Sequence, residues 1–136
     1  MPFPTTERFV ARAETELQCR LPLDYRTWVL ANNGGELSAA DDDWQIFPVF
    51  DDSDRKKAAR SASHIVRETG RARKWPGFPF PAKSVAFAEN GSGDLLVFLP
   101  RASDPGELAP EVYVWSHETG TCACIASSLS DLIETT

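Results

Sequence analysis

The chain has 136 residues, room for one domain with a sizeable core. A formal net charge of -6 and a pI near 4.9 repel phosphate backbones, so nucleic acid is not the expected partner. No apolar run approaches the ~20 residues that cross a bilayer, and Met1-Pro2-Phe3-Pro4 lacks the basic and apolar segments of an export signal, so no membrane is expected and the expected location is cytoplasmic.

Residues 5–19 place Phe9, Ala13 and Leu17 at i, i+4 and i+8, with Val10 beside them and charges between, as in an amphipathic helix that Thr5 or Thr6 can cap. The stretch LPLDYRTWVLANNGG, 21–35, predicts a second helix. Pro22 suits its first turn, Tyr25, Trp28 and Val29 recur at helical spacing, and Asn33-Gly34-Gly35 stops it with residues tolerant of positive φ. Residues 44–50, WQIFPVF, read as a strand limited by Pro48, which cannot donate to a ladder. Asp51, Asp52 or Ser53 then caps a third helix over about 54–69, ended by Gly70. It carries Ala58, Ala62, Ile65 and Val66 on one face and Lys56, Arg60 and Arg67 on the other. The stretch 71–83, rich in Pro, Lys and aromatics, reads as an ordered loop.

Hairpin strands follow. Residues 84–88 and 95–99 flank Asn90-Gly91-Ser92-Gly93-Asp94, and 111–115 turns at His117-Glu118-Thr119-Gly120 into 122–126. Ser128 with Asp131 opens a last helix carrying Leu132 and Ile133. The expected class is α+β, a single domain over 1–136: mainly an antiparallel sheet of hairpins, with an N-terminal helix pair, a central helix and a short C-terminal helix.

The glycine-spaced loop is the first candidate for chemistry. A phosphate loop needs Gly-x-x-x-x-Gly-Lys-Ser/Thr, or Gly-x-Gly-x-x-Gly, leading into a helix. Here the loop leads into Leu-Leu-Val-Phe-Leu, which prefers a strand. Asn90, Ser92 and Asp94 alternate like part of an EF-hand loop, but the later glutamate and flanking helices are missing. The loop therefore reads as a hairpin connection, with no cofactor and no metal expected. Cys122 and Cys124 share a strand face without a second pair to complete a zinc site, and with Cys19 they read as reduced, small buried hydrophobes. His64 falls on the solvent side of the third helix and His117 opens a turn. A catalytic histidine needs a nucleophile or carboxylate held beside it, which nothing in the sequence places.

In order and spacing, LPLDYRTWVLANNGG, IFPV, VAFAENGSGDLLVFL, VYVWSHETG and IASSLSDLI resemble the SUKH superfamily, in its Smi/Knr cell-wall-assembly-regulator branch. The residues that carry the resemblance include Leu21, Pro22, Asp24, Tyr25, Asn33, Gly34, Gly35, Asn90, Gly91, Gly93, Asp94, Trp115, His117 and Gly120. Ser116 stands where the family often has Asp, and the segments AADDDW and RARKWPGFPFP match none of its motifs. The resemblance implies an α+β domain without catalytic chemistry. It also implies a role as an immunity protein that binds a polymorphic toxin, often a nuclease, or as a regulatory scaffold like the fungal relatives.

Charge is unevenly distributed. Residues 55–74 carry net +7, which leaves -13 for the remainder. Asp41, Asp42 and Asp43, and then Asp51, Asp52 and Asp54, bracket the strand that carries Trp44. Such runs repel one another and are relieved by a basic partner, so the toxin domain that the resemblance implies as partner is expected to present a basic surface. Trp75 is the aromatic best placed to anchor it. Two other readings stay open. One is a nucleic-acid module using the basic helix and RARKW. The other is a small hydrolase around Glu89, Asp94 and His117.

Overall fold

Two helices open the chain, α1 (Glu7–Leu17) and α2 (Leu23–Ala31). The computed structural model describes residues 3–134; Met1, Pro2, Thr135 and Thr136, inside the domain expected over 1–136, lie outside the described residues. α1 buries Phe9, Val10, Ala13 and Leu17, the stripe that its spacing predicts. Thr6 stands at its N-cap without a side-chain bond, while Thr5 is buried and donates to Asp51 at 2.8 Å.

Six strands follow in one antiparallel sheet whose spatial order is the sequence order: β1 (Glu36–Ala39), β2 (Asp42–Ile46), β3 (Val85–Glu89), β4 (Leu95–Phe98), β5 (Val112–Trp115) and β6 (Cys122–Ala126). The expected α+β class and the hairpin organisation hold. Between β2 and β3 come α3 (Arg55–Arg60) and α4 (Ile65–Arg73), and α5 (Leu129–Glu134) closes the chain. α4 packs on β3 and α1 on α4, while α5 bridges β6 and α2.

The core explains the aromatic count. Phe87 and Phe98 stack at 4.1 Å, and Tyr25 meets both edge-on at 6.1 and 6.2 Å. All three are fully buried, each worth about 1.5–3 kcal/mol on area alone. The Tyr25 hydroxyl donates to the Phe47 carbonyl at 2.6 Å, so the buried phenol is paired, and burial raises its pKa.

Several local expectations are corrected. The third helix is two helices, because the Ser61 hydroxyl bonds back to the Lys57 carbonyl at 2.7 Å and receives the Asp51 N–H at 2.9 Å, which ends the first of them. Asp54 caps α3, accepting from Lys57 N–H, and His64 caps α4 through Nδ1, accepting from Arg67 N–H. His64 is thus a capping residue rather than a solvent-face one, and burial outweighs its neighbouring charges to lower its pKa. Gly70 lies inside α4, which runs on to Arg73 because Ile65, Thr69 and Ala72 bury one stripe, enough to override the ~1 kcal/mol propensity cost of glycine. The strand expected at 44–50 is shifted: β2 ends at Ile46 and Phe47 continues only through its N–H bond to the Phe87 carbonyl. β1 has no counterpart in the sequence reading, since ELSA is short and its buried residues alternate over only two positions.

Candidate functional site

The meander places three hairpin connections at one end of the sheet: Ala40-Asp41, Asn90–Asp94 and Ser116–Thr121. The long crossings from β2 to β3 and from β4 to β5 lie at the other end. Side chains then knit the three tips together. Asn90 Nδ2 donates to Asp42 Oδ2 at 2.8 Å, joining the first tip to the second. Asp94 Oδ1 accepts from the His117 backbone N–H at 3.1 Å and lies 2.7 Å from His117 Nδ1, joining the second to the third.

The Asn90–Asp94 loop is built as a tight turn. Asn90 Oδ1 accepts from the N–H groups of Ser92 and Asp94 at 2.9 and 3.2 Å, an Asx arrangement. At Gly93, φ is +106° and a Cβ would meet the His117 ring at 2.9 Å, so only glycine lets the imidazole lie on the loop. At Gly120, φ is +73° and a Cβ would strike Phe78 at 2.7 Å. Trp75 meets the His117 ring edge-on at 6.4 Å. The stretch after α4 thus folds over the tips and presents Trp75, 45 % exposed, and Phe78, 48 % exposed.

The sequence reading groups Asp94 and His117 only in its open hydrolase alternative and places no carboxylate beside the histidine, since no local pattern sets residues 94 and 117 side by side. Stacking the two predicted hairpins as neighbours is the signal that would have found the pair. An ionised carboxylate only accepts, so His117 Nδ1 carries the hydrogen. Burial raises the Asp94 pKa, but the hydrogen bonds and charge of His117 and the Asn90 amide outweigh it and hold the carboxyl below its ordinary value. Among the described residues no hydroxyl or thiol is bonded to the other ring nitrogen, and Glu89 pairs with Leu95 in the ladder instead of facing Asp94. The pair locks two tips together.

The expected partner-binding residues separate. Asp41, Asp42 and Asp43 are exposed at the first tip, beside a shallow depression with Ser38. Asp43 receives the Ser38 hydroxyl at 2.7 Å and Asp42 the Asn90 amide, and among the described residues none of the three has a Lys or Arg within 4.0 Å. Ala40 and Asp41 have φ of 51° and 60°, as a two-residue type I′ hairpin loop requires, although both carry a Cβ. Trp44 is buried, 2 % exposed, its indole donating to the Ala39 carbonyl at 2.9 Å, so it supports the tip from inside rather than meeting a partner. Asp51 is likewise inside, 3 % exposed, bonded to Thr5 and Ser53; burial raises its pKa, but those bonds and the charge of Lys57 bring it below the ordinary value. Asp52 pairs with Arg12 at 3.2 Å and Asp54 caps α3. The second acidic run therefore lies at the far end of β2, with Asp51 buried and Asp52 and Asp54 exposed but each bonded within the chain. Trp75 stays at the surface, against His117 of the third tip.

The motif residues near the N-terminus serve the frame. Asn33 spans the Val49 backbone, accepting from its N–H and donating to its carbonyl, both at 2.9 Å. Trp28 Nε1 donates to the Gly34 carbonyl at 2.7 Å, and Asp24 accepts from the Ser130 N–H at 3.3 Å, which ties α5 down. Leu21 is buried beside Pro22, Gly35 accepts from the Ile46 N–H, and Gly91 sits at the open apex of its loop. A hollow of about 750 Å³ runs from Gly34 and Gly35 past Gln45 and Glu89 to Lys57 and Arg60. All three thiols are free; Cys19 is buried, whereas Cys124 is exposed on the edge strand, contrary to the buried role expected of it. Among the described residues no cluster of three His, Cys, Asp or Glu is arranged to hold a metal, and no helix is long and apolar enough to cross a membrane.

Residues 4–135 fit the model of the SMI1 / KNR4 family (SUKH-1). No curated protein matches the chain.

Proposed function

The chain belongs to the SMI1 / KNR4 family (SUKH-1), and from that premise we propose that it is a protein-binding module of the immunity type. In this reading it acts in the cytoplasm, without catalytic chemistry, and neutralises a toxin domain by covering a basic surface of it with the hairpin-tip end of the sheet. The observation that supports this most is the exposed triplet Asp41, Asp42 and Asp43 at the same end as the exposed rings of Trp75 and Phe78. Three carboxylates without cationic partners set up a field that accelerates encounter with a basic cleft, and two aromatic rings supply the apolar anchors that such interfaces use.

The backbone at this tip is strained, which fits a site kept for binding rather than for stability. A left-handed conformation costs a residue with a Cβ about 1–2 kcal/mol, and Ala40 and Asp41 both adopt it. An Asn-Gly pair would relieve that strain but would remove a carboxylate.

The test is co-expression with the toxin domain encoded beside the gene, together with measured association kinetics. The wild-type chain is expected to restore growth and to bind with a rate that falls steeply with salt. Changing Asp41, Asp42 and Asp43 together to Asn is expected to slow association at least about tenfold at low salt while leaving the fold intact. A rate indifferent to both salt and these substitutions removes the site. An isolated locus with no toxin neighbour, and binding to components of cell-wall synthesis, would favour the regulatory-scaffold alternative.

A further inference from the structure

The strand register sets three polar side chains in one transverse row. Glu36 pairs with Gln45 and Gln45 with Glu89, so all three stand on the same face of β1, β2 and β3. Two residues nearer the first tip, Ser38 pairs with Asp43 on that same face, so the row continues the acidic tip along the strands. The opposite face of β1 and β2 buries Leu37, Trp44 and Ile46, whereas Glu36 and Gln45 are exposed.

This row lines the 750 Å³ hollow, and α3 contributes Lys57 and Arg60 to the same hollow. α3 buries none of its own residues, so it does not stand there to fill the core. The Arg60 guanidinium lies 4.5 Å from the ring centre of Phe3, another lining residue, which holds it at the rim. The acidic and basic walls do not neutralise each other. Among the described residues neither Glu36 nor Glu89 has a Lys or Arg within 4.0 Å, and the Gln45 side-chain amide makes no hydrogen bond. Lys57 has no carboxylate within 4.0 Å, although its charge reaches the buried Asp51.

The two walls constrain the occupant. A lone cation is drawn to the glutamates but repelled by Lys57 and Arg60, and a lone anion meets the reverse. An apolar group would take both walls out of water without pairing either. Only an occupant carrying a cation and an anion close together satisfies both. At roughly 30 Å³ per water the hollow has room for about 25 waters, the space of a short peptide turn rather than of one side chain. We propose that this hollow receives a loop of the protein partner in which a basic residue adjoins an acidic one, the basic side chain set against Glu36 and Glu89 and the acidic one against Lys57 and Arg60. The assignment rests on the protein-binding function proposed above and adds specificity to it: the tip attracts any basic surface, whereas the hollow selects a loop of paired charge.

The experiment needs no toxin. The full chain is labelled with 15N and titrated with three blocked dipeptides, acetyl-Arg-Glu-amide, acetyl-Arg-Gln-amide and acetyl-Gln-Glu-amide, following the Gln45 side-chain amide and the Gly35 backbone N–H. The doubly charged peptide is expected to shift both signals saturably, and each singly charged one to bind about fivefold more weakly, the discrimination that one exposed ion pair supplies. Glu36→Gln combined with Glu89→Gln is expected to abolish the advantage of acetyl-Arg-Glu-amide over acetyl-Gln-Glu-amide. Lys57→Gln is expected to reduce its advantage over acetyl-Arg-Gln-amide about twofold. The comparison of the three peptides in the unaltered chain stands even where a variant fails to fold. Equal affinities for all three peptides overturn the proposal, and so do shifts that spare Gln45 and Gly35. Loss of the hollow as a site leaves the toxin-protection experiment untouched. Full discrimination among the peptides without toxin protection keeps the hollow as a peptide site and removes the toxin as the source of the loop.

Discussion

The two ends of the sheet use the same kinds of residue for opposite purposes. At the end opposite the hairpin tips, here the closed end, Tyr25, Asn33, Trp28 and Asp51 spend their polar atoms on backbone and side-chain groups of the chain itself, at 2.6 to 3.0 Å. At the hairpin-tip end, Asp41, Asp42 and Asp43 are exposed, and Trp75 and Phe78 present ring surface to solvent. The lesson is that the residues carrying the family resemblance mostly build the frame, whereas the residues suited to a partner lie mostly in the two segments outside it, AADDDW and RARKWPGFPFP. A family can keep one scaffold and change its partner by changing such segments.

The largest effect that would separate the two ends is expected at the closed one. Tyr25→Ala removes a fully buried ring packed edge-on against both Phe87 and Phe98 and strands the Phe47 carbonyl, so chemical denaturation should show a loss of about 3–5 kcal/mol. A smaller loss, with the partner's association rate strongly changed, would mean that the closed end also contributes to binding.

Asp94→Asn tests the seam between frame and tip. The variant should lose about 1 kcal/mol at neutral pH, since it keeps the shape but not the charge that accepts from His117. Because the folded-state pKa of Asp94 is lowered, its contribution is complete above the unfolded value near 3.9 and is lost as pH falls through the folded one. Wild-type and variant stability curves should therefore converge below about pH 4. Curves that stay parallel there would show that the ionised pair contributes nothing.

The smallest effect is expected at the first tip. Ala40→Gly should raise stability by about 0.5–1 kcal/mol, because strain released at positive φ exceeds the entropy that glycine adds to the unfolded chain. A loss instead would show that the turn is not strained, and would remove one support for a tip shaped by binding.

Much of this molecule is set by patterns only a few residues long. The Phe9, Ala13, Leu17 stripe, the Tyr25 helix, the two later hairpins and the α+β class all follow from local periodicity and turn chemistry, which act between neighbours in the chain. So does the exposure of Asp41, Asp42 and Asp43, since consecutive carboxylates cannot all be buried. Tertiary structure decided the rest. Whether an acidic side chain is left unpaired or held by the chain itself depends on Thr5 and Arg12, which approach Asp51 and Asp52 from 46 and 40 residues away in the sequence. The pairing of Asp94 with His117 and the bond from Asn90 to Asp42 likewise join residues far apart in sequence. Their energies depend on distances of a few ångströms, and only the packed sheet sets those.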